Sequence, residues 1–242
     1  MINRTLALLA ALVFSAPAAA FSATTATAAT RITASGEGTV ALTPDVATVQ
    51  ASIETNDDRA AVATSQNNAI YDRVLAAVAK NGVARNDVTY ANYYLNYNPR
   101  PPVRPGEAAP PGPFGYTVTR TFDVKVRAVA NVGSVVDALV GAGTTNINSV
   151  SFAIADPSSA RGEAIARAYA LARSRAEAVA RAAGLHITGI EQIDNGGAYV
   201  APLVKAGVSA DVFMAARGAV PTTLDSGSVN VTANVTVVFL AR

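Results

Sequence analysis

Few side chains in this sequence could carry out catalysis or bind a metal. Among its 242 residues there is no cysteine and a single histidine, His186. Thiolate nucleophiles, disulfides and thiolate metal sites are therefore excluded, and a serine–histidine–aspartate triad would have to use His186. This histidine follows the predicted end of a helix, where a positively charged imidazole is favoured without any further role. We therefore predict no catalytic residue and no metal site.

One glycine motif has the spacing of a nucleotide-binding loop. Residues 36–41, GEGTVA, fit the dinucleotide pattern G-x-G-x-x-G/A. That motif requires a helix directly after the glycines, so that backbone amides face the pyrophosphate. Here Pro44 follows instead, and the next segment alternates with the period of a strand. We interpret the two glycines as a bulge or bend in a strand, and we predict no cofactor.

The acidic residues are scattered along the chain. Asp57 and Asp58 stand where a helix cap is expected, and Asp45 follows Pro44 in a predicted turn. Carboxylates from separate segments could still meet in the fold, so a hydrolase built from them remains an alternative. This alternative predicts at least two acidic side chains in one pocket, with shifted pKa values.

Tyrosines flank a proline-rich segment in the middle of the chain. Residues 98–115 hold seven of the twelve prolines, a density that prevents helix formation and strand pairing and predicts an extended loop between two antiparallel strands. Tyrosine rings at such a place can bind a peptide, a glycan or a partner subunit, although tyrosine is also common in ordinary strands. The five candidates are Tyr90, Tyr93, Tyr94, Tyr97 and Tyr116.

A second irregular segment, residues 196–221, is unusually apolar for a loop. It contains Tyr199, Phe213 and Met214 among other apolar residues. A monomer would have to fold this segment back on itself, whereas an oligomer could bury it between subunits. We therefore predict a homo-oligomer and take these three residues as candidate interface residues.

Hydrophobic periodicity predicts the elements that position these residues, in the order β-β-α-β-β-α-β-α-β-β. The strand segments alternate with a period of two residues, which is typical of antiparallel sheets with one solvated face. In the segment 46–55, this alternation places Ala47, Val49, Ala51 and Ile53 on one face. The clearest helix covers about residues 158–183. Apolar residues recur there every three or four positions and predict its buried stripe: Ile165, Ala168, Tyr169, Ala172, Ala176, Val179 and Ala183. We predict an α+β fold of mainly antiparallel sheets with helices on one face, in two β-α-β-β-type subdomains.

Composition and the first residues indicate where the protein works. Half of the residues are hydrophobic, 15% are charged and the net charge is +2, which excludes a disordered chain. No basic run indicates nucleic-acid binding. Residues 1–28 resemble a secretory signal peptide cleaved after about residue 20 or 28. Their apolar run is shorter than the roughly 20 residues that span a bilayer, and no later run is long enough. We expect an exported, periplasmic protein without a transmembrane segment after signal removal.

Several motifs occur in a characteristic order. They include I-x-A-x-G-x-G-x-V at 32–40, P-D-x-A at 44–47, G-A-G at 141–143 and G-x-V-x-V at 227–231. In this order and spacing, residues 31–242 resemble the SIMPL-domain family of bacterial envelope proteins, which includes periplasmic immunogenic and oxidative-stress-defence proteins. The resemblance implies a periplasmic location, an α+β fold, a tendency to oligomerise and a loose association with envelope or oxidative stress. It supplies no catalytic residues.

These observations favour a non-enzymatic periplasmic protein that self-assembles and protects the cell envelope indirectly, with envelope components as further partners. With no cysteine, two methionines and one histidine, the chain lacks the side chains that usually react with oxidants. The alternative is a periplasmic binding module for a peptide, a glycan or a small ligand, centred on the five tyrosines that flank the proline-rich loop.

Overall fold

The structure is a computed structural model that describes residues 29–104, 106, 108, 111–209, 222 and 224–242. The predicted signal peptide lies outside the described residues. So do residues 210–221, which include the candidate interface residues Phe213 and Met214.

Eight strands, three α-helices and two short 3-10 helices make up the described part of the chain. The strands are β1 (Thr30–Leu42), β2 (Val46–Asp57), β3 (Val88–Asn98), β4 (Gly115–Val126), β5 (Asn146–Ala153), β6 (Ile187–Ala201), β7 (Leu203–Ser209) and β8 (Val229–Ala241). The helices are α1 (Ala60–Lys80), α2 (Val132–Ala142) and α3 (Ser158–Ala182), with 3-10 helices at Arg85–Asp87 and Val129–Asn131.

The strands form two sheets in which every pair is antiparallel. The larger sheet has the order β3-β4-β2-β5-β7 and the smaller has the order β1-β8-β6. Helices α1 and α2 pack on the larger sheet, and α3 packs on β1 and β8. This confirms the predicted α+β fold. Among the described residues, the first strand pairs along its whole length with the last, so the smaller sheet joins the two ends of the described chain.

The core of the larger unit lies between its sheet and the helices α1 and α2. In β2, the residues predicted to share one face, Ala47, Val49, Ala51 and Ile53, are all fully buried. Alternate residues of β4 extend this face, whereas the residues between them are polar and partly exposed. Strands β2 and β4 therefore each have a helix-covered face and a more polar face, as alternation predicts.

The segment predicted to be an irregular loop at 196–221 begins as strand, and the prediction is wrong over this first part. β6 continues to Ala201, and β7 pairs with β5 at the edge of the larger sheet. Gly196 and Gly197 lie in a bulge of β6, where the register shifts between Asn195 and Ala198 and Gly197 has a φ of +84°. A bulge accommodates extra residues without ending the strand. Part of this segment therefore pairs within the chain, which weakens the argument for an oligomer that rested on it.

Candidate interaction surface

The glycine motif lies beneath helix α3. A Cβ atom on Gly36 would lie 2.0 Å from the carbonyl oxygen of Ala168, and one on Gly38 would lie 2.1 Å from that of Ala164. The helix backbone thus occupies the space that a side chain, or a pyrophosphate, would need on this face. The bulge or bend predicted here is not found, because β1 pairs with β8 without a register shift from Thr30 to Leu42. Close packing of a helix explains the motif.

The described carboxylates make contacts that are typical of turns and ion pairs. Asp45 accepts a hydrogen bond of 2.7 Å from the backbone amide of Ala155, and Asp156 accepts one of 3.0 Å from the first amide of α3. Asp87 accepts two hydrogen bonds from Arg127. Within the described ranges there is no group of three or more His, Asp or Glu side chains placed to hold a metal ion. The structure gives these three carboxylates structural explanations and adds no support for the hydrolase alternative.

The Asp87–Arg127 pair fixes the start of β3 against the end of β4. The two hydrogen bonds are 2.7 and 2.9 Å long, and the Asp87 side chain is nearly buried whereas that of Arg127 is exposed. Hydrogen bonding from Arg127 is the main cause that lowers the pKa of Asp87, against an opposing effect of burial. The same bonds raise the pKa of Arg127. The pair is therefore ionised at neutral pH and holds β3 in register.

The five predicted tyrosines do not form one cluster. Tyr97 lies directly opposite Tyr116 in the register between β3 and β4, so both side chains leave the same face of the sheet. Tyr93 lies on that face too, because it pairs with Arg120 at another inward position of β4, whereas Tyr94 pairs with Thr119 and lies on the opposite face. Tyr90 stands at a bulge. A single binding cleft could therefore draw on Tyr93, Tyr97 and Tyr116 together, but not on Tyr94.

Tyr199 belongs to a different part of the molecule. It lies on β6 in the smaller sheet, where its exposed side chain lines a cleft of about 300 Å³. The other lining residues come from the β6 bulge and from β8: Gly196, Gly197, Ala198, Thr232 and Asn234. Tyr199 thus shares no strand pair with the other five candidates.

Sequence reasoning missed one residue that organises the tyrosine-bearing face, Arg120 of β4. Its guanidinium carbon lies 4.5 Å from the ring centre of Tyr71 and 5.3 Å from that of Tyr93, and one nitrogen donates a hydrogen bond of 2.5 Å to the side-chain oxygen of Asn68. Cation–π contact on two sides fixes both the guanidinium and Tyr93. The sequence does contain a sign of this role, because Arg120 is a charged residue among the otherwise apolar residues that alternate along the inward face of β4.

Next to Arg120, Asn67 connects helix α1 to the sheet. Asn67 is fully buried, and its side-chain nitrogen donates to the carbonyl oxygens of Ile53 in β2 and Val118 in β4, at 3.2 and 3.3 Å. Because both partners are acceptors, this orientation of the amide is the one that the hydrogen bonds require. The amide therefore holds α1 against two neighbouring strands.

The edge of β1 in the smaller sheet is covered by side chains of α3. Arg167 donates a hydrogen bond of 2.7 Å to the carbonyl oxygen of Thr39, and Arg175 donates one of 2.7 Å to that of Ser35. Both carbonyls belong to β1, which pairs with β8 alone among the described strands. Charged side chains on an edge prevent its pairing with another chain. The edge of β1 is therefore protected.

Strand β3 presents a more open edge. Strand β6, at the other edge of the smaller sheet, has register shifts at three places, whereas β3 has one. Four large apolar side chains of β3 are exposed: Tyr90, Tyr94, Leu95 and Tyr97. Bulges protect an edge, whereas a long edge with exposed apolar residues favours pairing. We call residues 88–98 the β3 edge and take it as the candidate interaction surface.

Comparison with known proteins places this chain in a family. The family profile SIMPL, described as a protein of unknown function (DUF541), matches residues 32–239. The 26 kDa periplasmic immunogenic protein of Brucella melitensis is 29% identical over 224 residues, which are 92% of this chain and 90% of that protein. The uncharacterized protein YggE of Escherichia coli (strain K12) is 28% identical over 133 residues, 55% of this chain and 52% of that protein. No helix within the described residues has the length and apolar character needed to cross a membrane. The chain belongs to the SIMPL family.

Proposed function

We propose that this protein acts in the periplasm without catalysis of its own, by assembling with further copies of itself through the β3 edge. Any protection of the cell envelope or against oxidative stress is then an indirect result of the assembly. The observation that carries the proposal is the open edge of β3, with its four exposed apolar side chains.

Antiparallel pairing of β3 with β3 of a second copy is the arrangement that this edge favours. In such a contact, the same surface of both copies meets across a two-fold rotation axis, which is the commonest symmetry of homo-oligomers. It would add a row of backbone hydrogen bonds, each contributing about 0.5–1.5 kcal/mol. It would also bury apolar surface of residues such as Tyr94 and Leu95, one on each face of the strand.

The periplasmic location is supported by the predicted signal peptide and by the relatives. The Brucella relative, which the chain matches over nearly its whole length, is named as a periplasmic protein. An exported protein without cysteine suits an oxidising compartment, where a free thiol would react. Envelope components are therefore the partners that an assembly of this protein would meet.

The assembly is tested by light scattering on the mature protein over a range of concentrations. We expect a mass above that of the monomer for the wild type and a monomer for Leu95→Lys, because a lysine on the β3 edge opposes pairing. Val179→Lys is the matched control, since Val179 is similarly exposed (55%, against 48% for Leu95) but lies on α3. This control should assemble like the wild type.

Two outcomes contradict the proposal. A wild-type protein that remains monomeric at every concentration removes self-assembly. A Leu95→Lys variant that assembles as well as the wild type removes the β3 edge as the interface. Circular dichroism on both variants establishes that the fold is retained.

A further inference from the structure

The aromatic pair at the end of the β3–β4 hairpin has a geometry with chemical consequences. The ring centres of Tyr97 and Tyr116 lie 4.7 Å apart, with the ring planes inclined by 43°. The two residues face each other across the strands, so both phenol groups extend in the same general direction. Tyr97 is 60% exposed, and Tyr116 is partly buried. Two oxidisable rings are thus held in contact where a small reagent can reach them.

Tyrosine is the principal oxidisable side chain available in this protein. The chain has no cysteine and no tryptophan, and one of its two methionines is Met1, within the predicted signal peptide. All eight tyrosines lie in the described residues, and among these Tyr97 and Tyr116 are the only two whose rings contact each other. Tyr90 and Tyr94 are about as exposed as Tyr97, yet neither has a tyrosine ring in contact.

We propose that Tyr97 and Tyr116 form a site of oxidative cross-linking, at which a one-electron oxidant joins the two rings as dityrosine. Each phenol loses one electron to an oxidant radical and one proton to solvent, which gives two tyrosyl radicals. A carbon–carbon bond then forms between ring positions next to the two hydroxyl groups. Each of those carbons then loses its hydrogen to solvent as a proton, and each phenol oxygen takes up a proton from solvent, so that both rings are phenols again. The net change is the loss of two electrons and two protons, and two equivalents of oxidant are reduced.

The cross-link would close the end of the hairpin covalently. The Asp87–Arg127 pair holds the other end of β3 to β4, so the dityrosine would fix the strand at both ends. It would join the two sides of the proline-rich loop, whose freedom in the unfolded chain would fall. Oxidation would therefore stiffen the strand that carries the β3 edge. This inference concerns a modification within one chain and does not depend on self-assembly.

The test exposes the mature protein to a limited dose of sulfate radical, generated by photolysis of persulfate, at a concentration where light scattering shows a monomer. Each sulfate radical accepts one electron and becomes sulfate. The product is digested with a protease that cleaves after glutamate, because Glu107 is the only acidic residue between Tyr97 and Tyr116. We expect dityrosine fluorescence and a single species in which the two fragments remain joined, with a mass lower by two hydrogen atoms.

Matched variants determine which rings react. Tyr97→Phe and Tyr116→Phe should each abolish the joined species, whereas Tyr90→Phe should retain it, because Tyr90 is equally exposed (61%) but has no tyrosine ring in contact. Phenylalanine preserves the ring and the strand, and circular dichroism verifies the fold. Two results would overturn the proposal: a joined species that persists in Tyr97→Phe, or cross-links in the wild type that spread over other tyrosines while this pair stays unlinked.

Discussion

Replacing Gly36 with alanine should force β1 and α3 apart. The new Cβ atom would lie 2.0 Å from the carbonyl oxygen of Ala168 and 2.6 Å from the backbone nitrogen of Ala172. Contacts of a Cβ atom below 3.0 Å essentially do not occur, so helix and strand must separate by about 1 Å. Both obstructing atoms belong to the backbone, and no side-chain rotation can relieve the clash.

The expected cost follows from the tightness of this contact. Overpacking of a well-packed core costs about 1–3 kcal/mol. For a protein of this size, 1 kcal/mol corresponds to about 2–4 °C in Tm, so we expect a decrease of about 2–12 °C. Without a clash, a glycine-to-alanine change restricts the unfolded chain and stabilises a protein by about 0.4–1 kcal/mol. The sign of the change therefore tests the geometry.

Thermal and urea unfolding of Gly36→Ala, Gly38→Ala and Gly162→Ala provide the measurement. Gly162 lies in α3 with no atom within 4 Å of its potential Cβ, so its replacement should raise stability by about 0.5–1 kcal/mol through helix propensity. In the double variant at 36 and 38, one separation of helix and strand relieves both clashes, so the cost should be smaller than the sum. A Gly36→Ala protein as stable as the wild type would refute the close approach of α3 to β1.

Three further perturbations test other contacts. Asp87→Asn removes a carboxylate whose pKa is lowered in the folded state by hydrogen bonds from Arg127. The carboxylate therefore stabilises the fold above the ordinary carboxyl pKa of about 4, and this stabilisation is lost as the pH falls through the pKa of Asp87 in the folded state. In urea unfolding against pH, the wild type should therefore lose more stability than the variant below about pH 4, and parallel curves would contradict the pair. Asn67→Ala should cost about 1–3 kcal/mol in urea unfolding, because buried carbonyl oxygens lose their donor, and an unchanged midpoint would exclude the contact. Replacing Arg167 and Arg175 with glutamine in the Leu95→Lys variant should uncover the edge of β1. The mass measured by light scattering should then rise with protein concentration. A constant monomer mass would show that the arginines do not protect that edge.

Periodicity predicted most of the secondary structure because burial in this fold follows regular faces. The alternation in β2 placed its core residues correctly, and the predicted helix at 158–183 begins and ends within one residue of α3. The predicted buried stripe of α3 was less accurate. The buried residues are six alanines spaced four apart, from Ala160 to Ala180, whereas Val179 is exposed. Side chains three residues apart and side chains four residues apart both form ridges on a helix, and only the surface that packs against the helix determines which of these rows is buried.

Bulges limited what the sequence could predict about the tyrosines. The register shift between Tyr90 and Asn92 changes which later residues of β3 face the helices. A single extra residue exchanges the two faces of a strand, and no local pattern in this segment locates it. For the same reason, the segment predicted to be irregular from residue 196 begins instead as a bulge within β6.

The role of Gly36 and Gly38 could not be predicted either, because it depends on a helix more than 100 residues away in the chain. α3 and β1 run antiparallel, and four residues of helix advance by about 6.0 Å while two residues of strand advance by about 6.8 Å. Alanines at every fourth position of α3 therefore meet alternate residues of β1, with Gly36 between Ala168 and Ala172 and Gly38 between Ala164 and Ala168.

The mismatch of about 0.8 Å per step limits how far this close contact can extend along the strand. Strand twist adds to the divergence, so the gap between helix and strand widens on both sides of Ala168. Larger side chains can fill it there, and on the same face β1 indeed carries buried Ile32 before the two glycines and buried Val40 after them. Glycine is thus required only at the two central positions, and the spacing that resembles a nucleotide-binding motif follows from the geometry of one helix lying on one strand.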